Sequence, residues 1–254
     1  MAEVEHCCHL HTLPKIPPTE YQRLYFGAEF CFWRFPIDRE ILEAIDWCRE
    51  AGWGMTLVTP TLNQSELSEL GSRLERVLPQ FGENDELVVS DWGGIDLVGT
   101  IRSDLTLIIG RVLSAQKRDP RIESLALNLD DHEYFRNSIW NSRPSAELLL
   151  ELGISRVELD NLVQGVVALP KSLKGSLHLP YAMVTSTRNC PFRSTPVNQP
   201  CPAPCGELFR LKSNDGGQPL LQAGNTQFFE NHQVPERLLE LGIDRLVHHP
   251  QLPH

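Results

Sequence analysis

The sequence predicts an α/β chain wound as a β/α barrel, complete or partial, that carries a cysteine- and proline-rich loop and a late β-hairpin. Its strand candidates are continuous apolar runs such as MTLV, ELVV and LTLII, the pattern of parallel strands covered on both faces. The phrase LLLELGISRVELD at 148–160 is echoed by LLELGIDRLVHH at 238–249. Each reads as a helix end, a glycine stop and a strand, so one αβ unit occurs twice. Roughly six to eight strands can be counted, which suits a TIM-like barrel.

Residues 1–20 are expected to form a flexible tail, interrupted by Pro14, Pro17 and Pro18, and the run His6, Cys7, Cys8, His9, His11 then reads as chance ligands in a terminus. A single domain is expected over 21–254. A strand is expected at 23–30, ending at Cys31. A helix follows at 37–51, because Ile41, Leu42, Ile45 and Cys48 keep helical spacing and Gly52 supplies a stop. Residues 55–59 read as a strand. Residues 64–78 read as a helix with Leu67, Leu70, Leu74 and Val77 on one face. A strand at 86–90 runs into Asp91-Trp92-Gly93-Gly94, then a short helix at 94–103 and a buried strand at 105–110. From 111 to 142 the pattern is weak, and 123–129 reads either as a strand or as part of a long loop. A helix at 145–152, entered through Ser142-Arg143-Pro144, leads to a strand at 154–159. Residues 176–185 look like one strand that delivers the chain into the cysteine loop. Residues 208–211 and 219–222, joined through Asn214-Asp215-Gly216-Gly217, read as the hairpin.

The chain has 254 residues, 41% of them hydrophobic, and a net charge of −10. That is enough for one large core. The acidic balance argues against nucleic acid as the main partner. No run of about 18 apolar residues predicts a membrane span, and no secretory signal is read, so a cytoplasmic setting is expected. In that setting the odd count of seven cysteines points to metal ligands over disulfides.

Cys190, Cys201 and Cys205 lie in TRNCPFRSTPVNQPCPAPC at C-x10-C-x3-C spacing. Pro191, Pro196, Pro200, Pro202 and Pro204 fix the bends and remove backbone donors, so the segment is a preset loop rather than helix or central strand. Three soft sulfurs brought together suit an iron–sulfur cluster or a structural zinc, and spacing does not separate the two. A fourth sulfur would come from Cys7, Cys8, Cys31 or Cys48. Cys48 belongs to a helix stripe and behaves as a small hydrophobe. Cys7 and Cys8 belong to the expected tail. Cys31 ends the first expected strand, on the barrel face where functional groups gather, and is the choice. The other strand ends carry Thr59, Asp91, Arg111, Asp160-Asn161 and His248-His249. Asp91 reads as a substrate or proton group, or as the cap of the next helix. His248 and His249 read as ligands or as a solvent-facing pair. Trp33 and Trp92 read as shields for a cluster, or as packing.

The strings YFGAEFCFWR, DWGGIDLV, ELGISRVELD, TRNCPFRS with CPAPC, and GNTQFFEN together resemble peptidase family U-32, in its short, single-domain UbiV-like type, associated with anaerobic ubiquinone biosynthesis. The likeness runs from about Tyr21 to Pro250. It implies that Cys31, Cys190, Cys201 and Cys205 hold a [4Fe–4S] cluster, where the spacing by itself keeps zinc as the alternative. It also implies a role in oxygen-independent hydroxylation, of a quinone precursor or a related substrate, as enzyme or as cluster-bearing subunit paired with a longer family relative. The family label also implies a peptidase, although neither His-Glu-x-x-His nor Gly-x-Ser-x-Gly occurs; a zinc-stabilised, non-catalytic partner protein is the further alternative. A prephenate-like carboxylate would need cations, and Arg34, Arg111, Arg188 and Arg193 are the candidates, each otherwise a surface arginine.

Overall fold

The computed structural model describes residues 3–196, 199–212 and 218–253. Strands β1 (Glu5–Leu10), β2 (Arg23–Gly27), β3 (Gly54–Val58), β4 (Glu86–Val89), β5 (Thr106–Ile109), β6 (Arg156–Asp160) and β7 (Lys174–Leu179) join a last strand to form a closed parallel barrel. Between β7 and that last strand lie β8 (Tyr181–Ser186), β9 (Phe209–Leu211), β10 (Leu220–Ala223) and β11 (Thr226–Glu230), an antiparallel sheet of order β8-β11-β10-β9. The closing strand, β12 (Ile243–His248), pairs with both β7 and β1.

The expected barrel is therefore complete, and its eighth strand comes from the segment read as a tail. Glu5–Leu10 lies between β12 and β2, and Cys7 and Cys8 are fully buried. The prolines at 14, 17 and 18 mark the β1–β2 connection, not a chain end. The doubtful strand at 123–129 is instead a 3-10 turn, Pro120–Ser124, followed by helix α4, Leu129–Arg136. The single strand expected at 176–185 is two strands in different sheets. Pro180, in a cis bond to Leu179, separates them. The hairpin pairing of β9 with β10 is present, while its expected turn, Asn214-Asp215-Gly216-Gly217, lies outside the described residues.

Apart from α4, the helices follow the sequence closely. In α1 (Asp38–Ala51), Ile41, Ala44, Ile45 and Cys48 are buried, and Gly52 ends the helix at φ 70°, a left-handed conformation that glycine adopts without steric cost. Helix α2 (Gln64–Val77) begins where Glu66 accepts the Asn63 backbone N–H at 2.7 Å. The described residues also form α3 (Trp92–Ile101) and α5 (Arg143–Glu151). Among the described residues no helix is long and apolar enough to cross a membrane.

Alternation along the strands divides the interior in two. Leu24, Phe26, Leu57, Leu87, Val157 and Leu246 join the layer between sheet and helices. Inside the barrel, Cys7, Tyr25, Val58, Val88, Ile108 and Val247 pack together. Glu158, His178 and Arg245 are also buried there: Arg245 donates to the Tyr25 hydroxyl, that hydroxyl donates to Glu158, and His178 bonds Glu158 directly. Uncompensated charge inside a barrel would be prohibitive, so these polar groups persist only because each has a partner.

Candidate functional site

The loop 187–208 joins β8 to β9 and so hangs from the inserted sheet rather than from a barrel strand. It nevertheless meets the barrel mouth, because two side chains tie it there. Asn225, in the turn between β10 and β11, donates from Nδ2 to the Phe30 carbonyl at 2.7 Å and to the Thr187 carbonyl at 3.0 Å. Arg188 donates to the Leu62 carbonyl at 2.8 Å. The exit of β2 and the root of the loop are thereby fixed together.

The result is one cleft whose lining includes all four predicted sulfurs, Cys31, Cys190, Cys201 and Cys205. Each is half-buried and outside any disulfide. Cys7, Cys8 and Cys48, by contrast, are at most 2% exposed. Phe30, Trp33 and Phe192 supply apolar walls, and Glu66, Arg34, Arg188 and Arg193 the charge.

The loop is held by means other than regular ladders. Arg193 donates to the carbonyls of Thr195 at 3.0 Å and Pro196 at 2.9 Å, and also to that of Gln199. Its guanidinium lies 5.7 Å from the Trp33 ring centroid. One arginine thus collects carbonyls that proline-rich backbone leaves without regular partners. Ala203, Cys205 and Gly206 take φ of 50°, 39° and 67°, so three residues of CPAPCG adopt the left-handed conformation. Two of them carry side chains, a cost of the order of 1 kcal/mol or more each that surrounding contacts must offset. The winding turns the Ala203 N–H onto Cys201 Sγ at 3.3 Å.

Burial pushes the Cys31 thiol up, against the backbone N–H groups of Trp33 and Arg34, which pull it down. Burial also raises Cys205, and Cys190 and Cys201 add to that, while Arg34 opposes it by charge and hydrogen bond. These sulfurs feel one another across the cleft. Among the described residues, however, no three His, Cys, Asp or Glu side chains form a group that could hold a metal ion. Four thiolates about 2.3 Å from one zinc stand roughly 3.8 Å apart; a multi-iron cluster spreads its ligands wider. Free thiols in an apolar-walled cleft fit such a group chemically, since binding supplies the positive charge that lets them deprotonate.

The remaining candidates scatter. Arg34 lies on the cleft rim and is exposed. Arg111 is fully buried, bonded through Nε to Glu29 at 2.8 Å and through Nη1 to Asp160 at 3.1 Å. It is a framework cation behind Phe30, whose ring centroid is 5.1 Å from its guanidinium. Asp91 caps α3 by accepting the Gly93 N–H at 2.9 Å and stands 3.8 Å from Arg188. Trp33 lines the cleft, whereas Trp92 packs 6.4 Å from Trp140, 46% exposed. His249 is buried inside the barrel and His248 stacks on His6 outside it, which corrects the reading of a solvent-facing pair. Thr59 donates to the Val88 carbonyl at 2.8 Å, and Asn161 binds the carbonyls of Asn231 and Gln233.

Sequence reasoning missed Asn225 and Glu66 as builders of the cleft. Asn225 sits in GNTQFFEN, a string marked only as a likeness, and Glu66 follows Asn63 at capping-box spacing. No family model and no curated protein matches the chain. Among solved structures, that of the U32 peptidase Mk0906 is similar at 12% sequence identity and a TM-score of 0.48, covering 100% of this chain and 96% of that one.

Proposed function

We propose that the chain holds a [4Fe–4S] cluster on Cys31, Cys190, Cys201 and Cys205 and works in oxygen-independent hydroxylation, as the enzyme or as a cluster-bearing subunit. The observation that carries the cluster is the partition of the seven cysteines: four half-buried around one cleft, three sealed in the core. The hydroxylation, its quinone-type substrate and a longer partner chain rest on the sequence resemblance.

A bound cluster supplies electron transfer, at a potential set by hydrogen bonds to its sulfurs and by solvent exposure. The protein contributes both settings. Ala203 directs an N–H at Cys201, Arg34 places positive charge beside Cys205, and Phe30, Trp33 and Phe192 exclude water from the walls. Arg34 and Arg188 on the rim suit a carboxylate-bearing co-substrate of the prephenate kind; Arg111, buried between two carboxylates, does not.

The test is anaerobic purification with iron, sulfide and zinc analysis. About four irons and four sulfides per chain are expected, with iron falling sharply in Cys31→Ala and Cys205→Ala but not in Cys48→Ala. Stoichiometric zinc without iron, or parental iron in Cys31→Ala, overturns the assignment. Co-purification with a second cluster protein supports the subunit form, and turnover by the chain alone supports the enzyme.

A further inference from the structure

Three buried imidazoles form a row inside the barrel. His9 Nδ1 is 3.1 Å from His249 Nδ1, His249 Nε2 is 2.7 Å from His178 Nδ1, and His178 Nε2 is 2.5 Å from Glu158 Oε2. His9, His178, His249 and Glu158 are at most 4% exposed. At one end, Arg245 donates to the Tyr25 hydroxyl oxygen at 3.0 Å, so the Tyr25 hydrogen is free to point to Glu158 Oε1 at 2.9 Å. At the other end, His9 Nε2 is buried and makes no well-aligned hydrogen bond, and the Gly27 backbone stands within hydrogen-bonding range of the ring, opposing the fall in its pKa.

A neutral imidazole has one donor and one acceptor, so Glu158 dictates the whole row. An ionised Glu158 accepts His178 Nε2–H. His178 Nδ1 must then accept His249 Nε2–H, and His249 Nδ1 must accept His9 Nδ1–H. His9 Nε2 is left as a bare lone pair. A protonated Glu158 reverses every bond, and His9 then carries its hydrogen on Nε2, toward Gly27. The two rows differ by one proton.

We propose that this row is a proton relay with its entry at His9 Nε2 and its store on Glu158. Because His9 Nε2 is itself sealed from solvent, the relay runs only when an O–H donor, water or a hydroxyl-bearing ligand, is admitted beside it and gives its proton to that nitrogen. His9 Nδ1–H passes to His249 Nδ1, His249 Nε2–H to His178 Nδ1, and His178 Nε2–H to Glu158 Oε2. One N–H bond forms and one breaks on each ring, and the donor leaves with the negative charge that Glu158 loses. The entry lies at the C-terminal end of β1. The His9 ring is 5.2 Å from that of His11, and His11 lines a groove shared with Trp33, Arg34 and Ala203 of the cysteine cleft's surround. Burial and the neighbouring His11, His178 and Arg111 hold His9 well below the usual histidine range, and burial, His9, His178, Arg111 and His11 do the same for His249, so neither ring traps the proton as imidazolium. The relay stands whether or not the cleft holds a cluster.

Nitrogen NMR on histidine-labelled full-length protein reads the protonated nitrogen of each ring. With Glu158 ionised, the expected pattern is Nδ1–H on His9 and Nε2–H on His249 and His178. Glu158→Gln, whose amide donates to His178 Nε2, is expected to swap all three. Rings that merely pack would keep their tautomers, and unchanged tautomers overturn the relay. Should that variant fail to fold, an acid titration of the parent decides. One concerted three-ring swap, with Tyr25, Arg245, Arg111 and His11 as the flanking groups, supports the relay; separate conversions to imidazolium overturn it.

Discussion

Arg111→Met tests the polar framework behind the cysteine cleft. In the parent, the Arg111 guanidinium lies 2.8 Å from Glu29 and 3.1 Å from Asp160, and all three side chains are at most 4% exposed. Asp160 keeps Arg118 at 2.8 Å in the variant, and Glu29 keeps the backbone N–H of residue 111 at 2.7 Å. The loss is therefore one buried cation serving two carboxylates, and removing one partner of such a pair costs roughly 3–5 kcal/mol. At about 2–4 °C per kcal/mol for a chain of this size, melting should fall by roughly 6–20 °C. Scanning calorimetry at pH 7 measures it.

The pH dependence supplies a second check. Burial alone would raise the Asp160 carboxyl, but Arg111 and Arg118 overcome that and hold it below the usual carboxylate range. A depressed folded value stabilises above the unfolded value, near 4, and that stability is lost as pH falls through the depressed value. In Arg111→Met, Asp160 keeps only Arg118 of its two cations, so less stability is lost as pH falls through that depressed value, and the gap between the two proteins narrows in acid. Glu29→Gln added to Arg111→Met should recover part of the loss at pH 7. A single variant within about 1 kcal/mol of the parent, or a gap that widens in acid, would refute the reasoning.

Asn225→Ala removes the donor shared by the Phe30 and Thr187 carbonyls; a stability loss of about 2 kcal/mol is expected by urea unfolding, together with reduced iron after anaerobic reconstitution. Gly27→Ala places a Cβ 2.2 Å from the Val58 carbonyl at φ 137°, and should lower stability by roughly 3 kcal/mol or more, seen as loss of soluble protein or of melting temperature. In metal-free folded protein, iodoacetamide should modify Cys31 and Cys205 slowly at neutral pH and faster as pH rises, because burial raises both thiols. Cys8 and Cys48, each pushed up to about 12 by burial, should react only on unfolding, as mass mapping will report.

The parts of the fold that could be read from the sequence are those in which local pattern and tertiary position agree. Helices α1 and α2 carry their apolar stripes in adjacent turns, and α1 its glycine stop, while β3, β4 and β5 are short apolar runs covered on both faces. β1 was hidden because EHCCHL alternates chemistry in a way that makes sense only inside a closed barrel. Glu5 meets Arg23 and Arg245, Cys7 joins the inner core, and His9 joins the imidazole row. The nearest of those partners, Arg23 to Glu5, is 18 residues along the chain, so no local window shows that this polar segment is a strand. The same holds for β7, where the break at Pro180 is local but the change of sheet depends on β11, some 40 residues on.

The cysteine site divides along the same line. Its triplet was visible because proline spacing and sulfur spacing are both local, and Cys31 because a strand end in a parallel barrel faces the functional mouth. What brings them together was not visible. A side chain from the β10–β11 turn reaches the carbonyl of Phe30, 195 positions away, and that of Thr187. The inserted sheet therefore acts as the arm that holds the cysteine loop over the barrel. This ordering has a measurable consequence. If the arm, and not the loop's own bends, sets the distance to Cys31, then Asn225→Ala should weaken iron retention more than Thr195→Ala, which removes only the loop's internal bond to Pro200. Iron release to a chelator from the two variants, compared at equal protein stability, decides it; faster loss from Thr195→Ala would mean that the loop shapes the site by itself.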